Sequence, residues 1–404
     1  MNRRAILVVL DGLGIGEMPD VTRFRPQDAG ANTLAHILER SPGLRLPVLE
    51  AMGLGNVVRA TGLRPAGPAA LSSYGRCMLG HEGADTYAGH NEIAGSSPPR
   101  SARMLFSEVS ARVRSVLESR GYRVAAVPAG GPALVVEDAV LVGDNLEADP
   151  GAVFNVTAAL DAIPFETVLA IARAVRGEVP VSRVIALGGP RITIHDIVNE
   201  VRSTASGQTG VVTPNLNIYN EQYQVRHMGY GVNPGRQAPG LAARAGIPVT
   251  LIGKMADVID CPGAHAVPCV PTREVLHHVL EEMDRIEDGL IAATVQETDL
   301  AGHEKDTARY AQVLMTADEL IGRILACLAA RDLFVVAADH GNDPTIIHRS
   351  HTREMVPLLA LYRAQPARDL GLRRTLSDIG ATISEYLGTG PTETGESFLS
   401  MLGG

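Results

Sequence analysis

Short aliphatic and β-branched runs recur along the chain: AILVVL (5–10), RVAAVPA (123–129), RVIAL (183–187), PVTLIG (248–253), GLIAATVQ (289–296) and LFVVAA (333–338). Each predicts a strand buried in a parallel sheet, where both faces are covered and the strand is apolar almost throughout. Helical periodicity lies between many of them. Residues 272–286 put Val275, Leu276, Val279 and Met283 on one face, and 306–330 predict a long amphipathic helix ending at Arg331 and Asp332. Alternating strands and helices imply an α/β fold with a doubly wound sheet. From about Pro98 to Pro234 the alternation weakens, and 213–237 is rich in Asn, Gln, Tyr and Gly. We therefore expect a core formed by 1–97 and 236–404, interrupted by an inserted α+β domain at 98–235. The tail 388–399 reads as a closing loop and short helix.

Composition narrows the function classes. A chain of 404 residues exceeds one ordinary hydrophobic core, and 45% apolar with 20% charged residues is normal for a globular enzyme. The net charge is −9 and no Lys/Arg run exceeds a pair, which argues against nucleic-acid and membrane-surface partners. Cys77, Cys261, Cys269 and Cys327 form no C-x-x-C pair, so neither a disulfide framework nor a zinc ribbon is expected, and a reducing cytoplasm is the simplest setting. Arg3 and Arg4 precede an apolar run that Asp11 interrupts, too short for a signal peptide's hydrophobic region. No stretch approaches the roughly 20 apolar residues needed to span a bilayer.

The candidate chemistry sits directly behind the strands. Asp11 follows AILVVL, Asp299 and His303 follow GLIAATVQ, and Asp339 and His340 follow LFVVAA, with His348 and His351 shortly beyond. Open parallel sheets bind ligands outside the carboxyl ends of their strands, so three strands deliver acids and imidazoles to one edge. Carboxylate with imidazole suits zinc, manganese or iron. The set is large enough for two ions, which at about 4 Å apart can clamp the attacking and leaving oxygens of a phosphoryl transfer. Singly, each acid also reads as a turn or helix cap. In GADTYAGHNEIAG (83–95), Thr86 stands at a predicted helix start, where free N–H groups favour phosphate; Asp85 and Thr86 equally read as simple caps.

Together, LDGLGIGEMPD, ADTYAGHNEIAG and DHGNDPTIIHRSHTREMVPLLAL resemble the phosphopentomutase branch of the alkaline phosphatase superfamily, in the family's order and at both ends of the chain. The resemblance implies a core of alkaline-phosphatase type with an inserted cap. It implies one ion held by Asp11, Asp339, His340 and the oxygen of Thr86, and a second held by Asp299, His303 and His351. Manganese is the expected ion and zinc the alternative. Thr86 would carry a phosphoryl group, Lys254 in LIGKMAD would lie near it, and the partner would be a small sugar phosphate. His90 and Glu92 would support the Thr86 loop or the substrate, Asp343 would order the DPT turn, and His348 would be a loop residue.

Two departures set the chain apart. Asp299 and His303 are four residues apart, as in cofactor-independent phosphoglycerate mutases, where phosphopentomutases have one residue more. The family's Arg-Pro-Phe segment is replaced by RVIALGGPRITIHD, and the later arginine-bearing stretch reads NIYNEQYQVRH. Arg191 and Arg226 are candidate substitutes, and Asp149 in ADPGAVFNVT stands near a sugar-binding acid of the family. The leading expectation is a two-metal phosphomutase working through phosphothreonine. A phosphatase or phosphodiesterase on the same site, and a non-catalytic metal-binding scaffold, are the alternatives.

Overall fold

A computed structural model describes residues 3–58, 60–97, 101–128, 130–148, 150–218, 222–362 and 366–403. The chain divides into two compact units, Met1–Ser97 with Asn233–Gly404, and Pro98–Val232.

The first unit is built on an eight-stranded sheet. Its strands, numbered along the chain, are β1 (Arg4–Leu10), β2 (Ser73–Cys77), β3 (Val249–Gly253), β4 (His265–Val267), β5 (Gly289–Val295), β6 (Leu333–Ala337), β7 (Val356–Tyr362) and β8 (Asp369–Arg373). Their order across the sheet is β4-β3-β5-β1-β6-β7-β2-β8, and β7 alone runs against the others. β1, β3, β5 and β6 are buried along their whole length, which is why their sequences are almost wholly apolar. β2 and β8 were harder to foresee: SYGRC and DLGLR are mixed, part-exposed strands at one side of the sheet. β7, with Pro357 as its second residue, was not among the expected strands either.

Register decides where the chemistry goes. Leu10 pairs with Val295, Val9 with Ala337 and Gly253 with Thr294. The carboxyl ends of four strands are therefore level, and the residues after them leave the sheet along one edge.

The functional helices are α1 (Thr86–Ile93), α2 (Lys254–Val258), α3 (Thr272–Arg285), α4 (Glu297–Glu304) and α5 (Thr307–Ala326). α3 buries Val275, Leu276, Val279 and Met283 as its spacing predicts, each worth about 1.5–3 kcal/mol relative to exposure. α5 ends earlier than expected, at Ala326. The reason is Asp332, whose Oδ2 accepts from Ala329 N at 2.8 Å and from Arg4 Nη2 at 2.6 Å in a buried ion pair. That pair turns the chain back toward β1. Helices α3 and α5 pack together, while Ser377–Leu387 packs on Ala238–Arg244 and on α1.

The second unit has its own six-stranded mixed sheet with two apolar clusters. RVIAL forms most of the strand Arg183–Gly189, parallel to Val153–Ala159 and antiparallel to Gln224–Gly229. RVAAVPA does not form a buried parallel strand. It gives only Val124–Ala126, with Ala125 and Ala126 exposed and Val124 part-buried, antiparallel to Leu134–Val136. All four cysteines are free thiols.

Candidate metal centre

Asp11 leaves β1, Lys254 begins α2 directly after β3, Asp299 lies in the first turn of α4 after β5, and Asp339 and His340 follow β6. The sheet edge brings them together. Lys254 Nζ donates to Asp11 Oδ2 at 2.7 Å and to Asp299 Oδ2 at 3.2 Å. His340 Nε2 lies 3.1 Å from Asp339 Oδ2 and 3.5 Å from Asp11 Oδ1. His303 Nε2 lies 3.5 Å from Asp299 Oδ2, and His351 Nε2 lies 3.4 Å from Asp299 Oδ1. The His340 and His351 rings stack at 3.9 Å. The seven ligand candidates, Thr86 included, and Lys254 thus form one contiguous cluster.

Thr86 is the first residue of α1, capped by the Asp85 side chain, which accepts from Ala88 N. Its hydroxyl donates to Asp339 Oδ2 at 2.8 Å. α1 can approach Asp339 this closely because residue 89 is glycine. A Cβ there would stand 2.5 Å from the Asp339 carbonyl oxygen. Gly253 has a similar part at the end of β3, with φ +65° and no room for a Cβ beside the Thr294 carbonyl.

Among the described residues, two groups of donor atoms are close enough to hold an ion, Asp11, His90 and Asp339, and Asp299, His340 and His351, each with ligand atoms within 4.8 Å of one another. His340 stands between the two sets. His90 joins the deeper one: its Nδ1 is 3.0 Å from Asp339 Oδ2 and its Nε2 is 2.9 Å from Thr294 Oγ1. In the sequence His90 carried only the reading of a supporting residue, because HNE inside a helix shows nothing of a neighbour 249 positions away in the chain.

Three features fit this cluster to cations. His340, His303 and His351 each turn Nδ1 to a backbone carbonyl, of Gly341 at 3.0 Å, Arg349 at 2.6 Å and Ala84 at 2.9 Å. A carbonyl can only accept, so each Nδ1 carries a proton and each Nε2 is turned to the centre, where a cation would displace any proton it holds. The His303 and His351 Nε2 atoms face each other at 3.1 Å, an unfavourable pairing unless a proton or a cation lies between them. Lastly, Asp11 Oδ1 and His340 Nε2 are both buried without a hydrogen-bond partner, which is costly unless a ligand completes them.

The electrostatics are those of three buried carboxylates sharing few cations. Burial, with the charge of Asp339, pushes Asp11 up to about 7. Burial also raises Asp299 and Asp339, but at Asp299 it is outweighed by Lys254 together with the bonds from His303 and His351, and at Asp339 by His340 with His90, so both stay well below the usual carboxylate range. Burial disfavours the charged form of His340, yet Asp339, Asp299 and Asp11 overcome it and hold the ring at about 9. His351 is lowered by burial and by His340, while the bond to Asp299 raises His303.

The remaining predicted residues lie elsewhere. Arg191 is in the turn after the strand Arg183–Gly189 in the second unit, with φ +62° and its N–H on Asp161 Oδ2 at 2.6 Å. Arg226 is on the strand Gln224–Gly229, opposite Ala186. Asp149 lies outside the described residues. Asp343 orders its turn by accepting from Thr345 N at 2.9 Å and Asn32 N at 2.9 Å. His348 Nε2 is 2.9 Å from Asp28 Oδ1. Glu92 is buried and accepts from Gly80 N at 2.7 Å and His81 N at 3.2 Å. Sequence reasoning missed Arg353, the largest fully buried side chain among the described residues, and Asn342, whose Nδ2 donates to Asp299 Oδ1 at 2.8 Å. An arginine between Thr352 and Glu354 carries no pattern that marks it as buried.

Fold and site together define a metalloenzyme whose donors converge on one edge of an α/β sheet. A family model described as the metalloenzyme superfamily matches residues 3–391. The phosphopentomutase of Caldanaerobacter subterraneus subsp. tengcongensis is 32% identical over 100% of this chain and 98% of its own length. That of Symbiobacterium thermophilum is 33% identical over 99% and 98%. Among solved structures, the chain is similar to the PH0037 protein of Pyrococcus horikoshii, at 15% identity and TM-score 0.47 over 98% and 99% of the two chains. It is also similar to Leishmania mexicana phosphoglycerate mutase, at 12% identity and TM-score 0.46 over 98% and 97%. The chain belongs to the metalloenzyme superfamily and, within it, to the phosphopentomutase family of metal-dependent phosphomutases. Among the described residues, no helix is long and apolar enough to cross a membrane.

Proposed function

We propose that the protein interconverts the phosphate positions of a pentose phosphate through phospho-Thr86, with two divalent cations, manganese foremost, in the cluster described above. Asp11, Asp339, His340 and Thr86 Oγ1 would hold one ion, and Asp299, His303 and His351 the other. When bound, such ions offset charge on the transferring phosphoryl oxygens. The observation that carries this reading is the common orientation of three imidazoles, each with Nδ1 spent on a carbonyl and Nε2 turned inward.

The chain's own groups supply the rest. The phosphoryl group passes from Thr86 Oγ1 to a free sugar hydroxyl. One P–O bond breaks as another forms, and the proton lost by the sugar hydroxyl is matched by the one Thr86 regains. The bisphosphate turns over and returns its other phosphate by the same exchange. Asp339 Oδ2 accepts from the Thr86 hydroxyl and fixes its direction, while the start of α1 offers N–H groups to the phosphate. Lys254, which bonds Asp11 and Asp299, would contact a phosphoryl oxygen when those carboxylates hold cations instead. The inserted unit acts as a cap, with Asp149, Arg191 and Arg226 as its candidate sugar-phosphate contacts, and must exclude water for transfer to win over hydrolysis. We assign the protein to the cytoplasm.

The test is turnover of ribose 1-phosphate with manganese. Formation of ribose 5-phosphate without inorganic phosphate, abolished in Thr86→Ala, is the expected result. Stoichiometric phosphate release would instead make the protein a phosphatase.

A further inference from the structure

We propose that Arg353 and Glu92 are positioning residues that clamp the loop before Thr86 from two sides, one through its carbonyls and the other through its amides. The proposal rests on the reading of Thr86 as the phosphoryl carrier.

Residues 78–85 connect β2 to α1 and deliver Thr86 to Asp339. A loop at an active site ordinarily draws on neighbouring backbone or on water for its polar groups. Here the partners are side chains. Arg353 Nη1 donates to the carbonyls of His81 and Gly83, both at 2.7 Å, and Nη2 reaches that of Leu79 at 3.4 Å. His351 Nδ1 takes the carbonyl of Ala84. On the amide side, Glu92 receives Gly80 N and His81 N. His81 Nδ1 also lies 2.7 Å from Glu92 Oε2, and Asp85 N donates to His81 Nε2 at 3.4 Å.

Both clamp residues are almost wholly buried, Arg353 at 2% and Glu92 at 1% exposure, and each is itself held. Asp20 takes the Arg353 guanidinium in a two-pronged pair at 2.8 and 2.9 Å, and Thr375 Oγ1 and Leu376 N bind Glu92 Oε1 at 2.5 and 2.9 Å. The Arg353 backbone N–H is fixed by Asp28 Oδ2 at 2.8 Å. A planar fork is needed to serve several carbonyls and a carboxylate at once, which a lysine ammonium cannot reproduce. Arg353 is also two residues from His351, so the loop carrying the nucleophile and the loop carrying a metal ligand are fixed to each other through one side chain.

Displacing a reacting oxygen by about 1 Å costs roughly 100-fold in rate. We therefore expect full-length Arg353→Lys to keep its bound manganese, measured by mass spectrometry after dialysis, and its KM for ribose 1-phosphate. Its kcat should fall about 100-fold, and intact-mass spectra should show a smaller phosphorylated fraction. Guanidinium added to Arg353→Ala should restore part of kcat. If Arg353 variants do not fold, Glu92→Gln, which keeps the shape and removes the charge shared by two amides, is expected to show the same kcat-specific loss. Wild-type kcat in manganese-loaded Arg353→Lys or in Glu92→Gln overturns the clamp. So does loss of manganese in step with kcat, because the arginine would then serve the metal centre rather than the loop. Turnover retained in Thr86→Ala is a separate outcome: it overturns the nucleophile reading, and the clamp's purpose with it.

Discussion

The two halves of the candidate metal centre are built differently. Asp11, Asp339, His340 and His90 are fully buried, and Asp11 Oδ1 and His340 Nε2 have no hydrogen-bond partner. Asp299 is also buried, but the side chains of His303 and His351 are 38% and 18% exposed, and Asn342 already serves one Asp299 oxygen. A deep donor set that is incomplete without a cation is costly to leave empty. A set at the surface can be completed by water. The deep half should therefore hold its ion firmly and set the chemistry, and the outer half should exchange its ion.

The strongest way to break this contrast is Asp339→Asn. Asp339 touches Thr86, His90, His340 and the Gly12 amide, so turnover should fall by about a thousandfold or more, and elemental analysis should show the deep ion lost. His303→Ala should be milder: the outer ion's affinity drops on the order of 100-fold, while the deep ion survives dialysis. Equal losses from both variants would show the halves to be one site.

The smallest effect is in the pH dependence of cation binding. Protons and the cation compete for the same donors. In the deep half, Asp11 at about 7 and His340 at about 9 both hold protons below neutrality. Affinity there should rise with pH, by about tenfold per unit for each proton displaced. Two protons leave below pH 7 and one between pH 7 and 9. In the outer half Asp299 and His351 are already unprotonated and only His303 is raised, so its slope should be shallower. Calorimetric titration in buffers of different ionisation enthalpy counts the released protons. A steeper slope in the outer half would reverse the comparison.

The acids and histidines of this centre were legible because they break off abruptly from apolar runs, at a place where strand ends must gather. The register then needed only to be level, and it is. What sequence patterns hide is partnership across the fold. Arg353 lies in a polar stretch that looks solvated, and its burial follows from the loop it serves rather than from any periodicity, whereas Glu92 was expected beside the Thr86 loop but without its partners Gly80, His81, Thr375 and Leu376. β2 and β8 escaped notice for a related reason: an outlying strand of a sheet tolerates the mixed composition of a loop. RVAAVPA misled in the opposite direction, since apolar character without a covering layer does not make an interior strand.

The reversed strand β7 has an effect on how the protein can change. Because it returns antiparallel beside β6, the eighteen residues between Ala337 and Val356 never cross to the opposite rim of the sheet. His340, Asn342, His351, Arg353 and Glu354 thus belong to a single covalent flap whose two roots are neighbouring strands. Such a segment enters and leaves the sheet at one edge, so a change in its length would be felt by the donors it carries and not by the strands that root it.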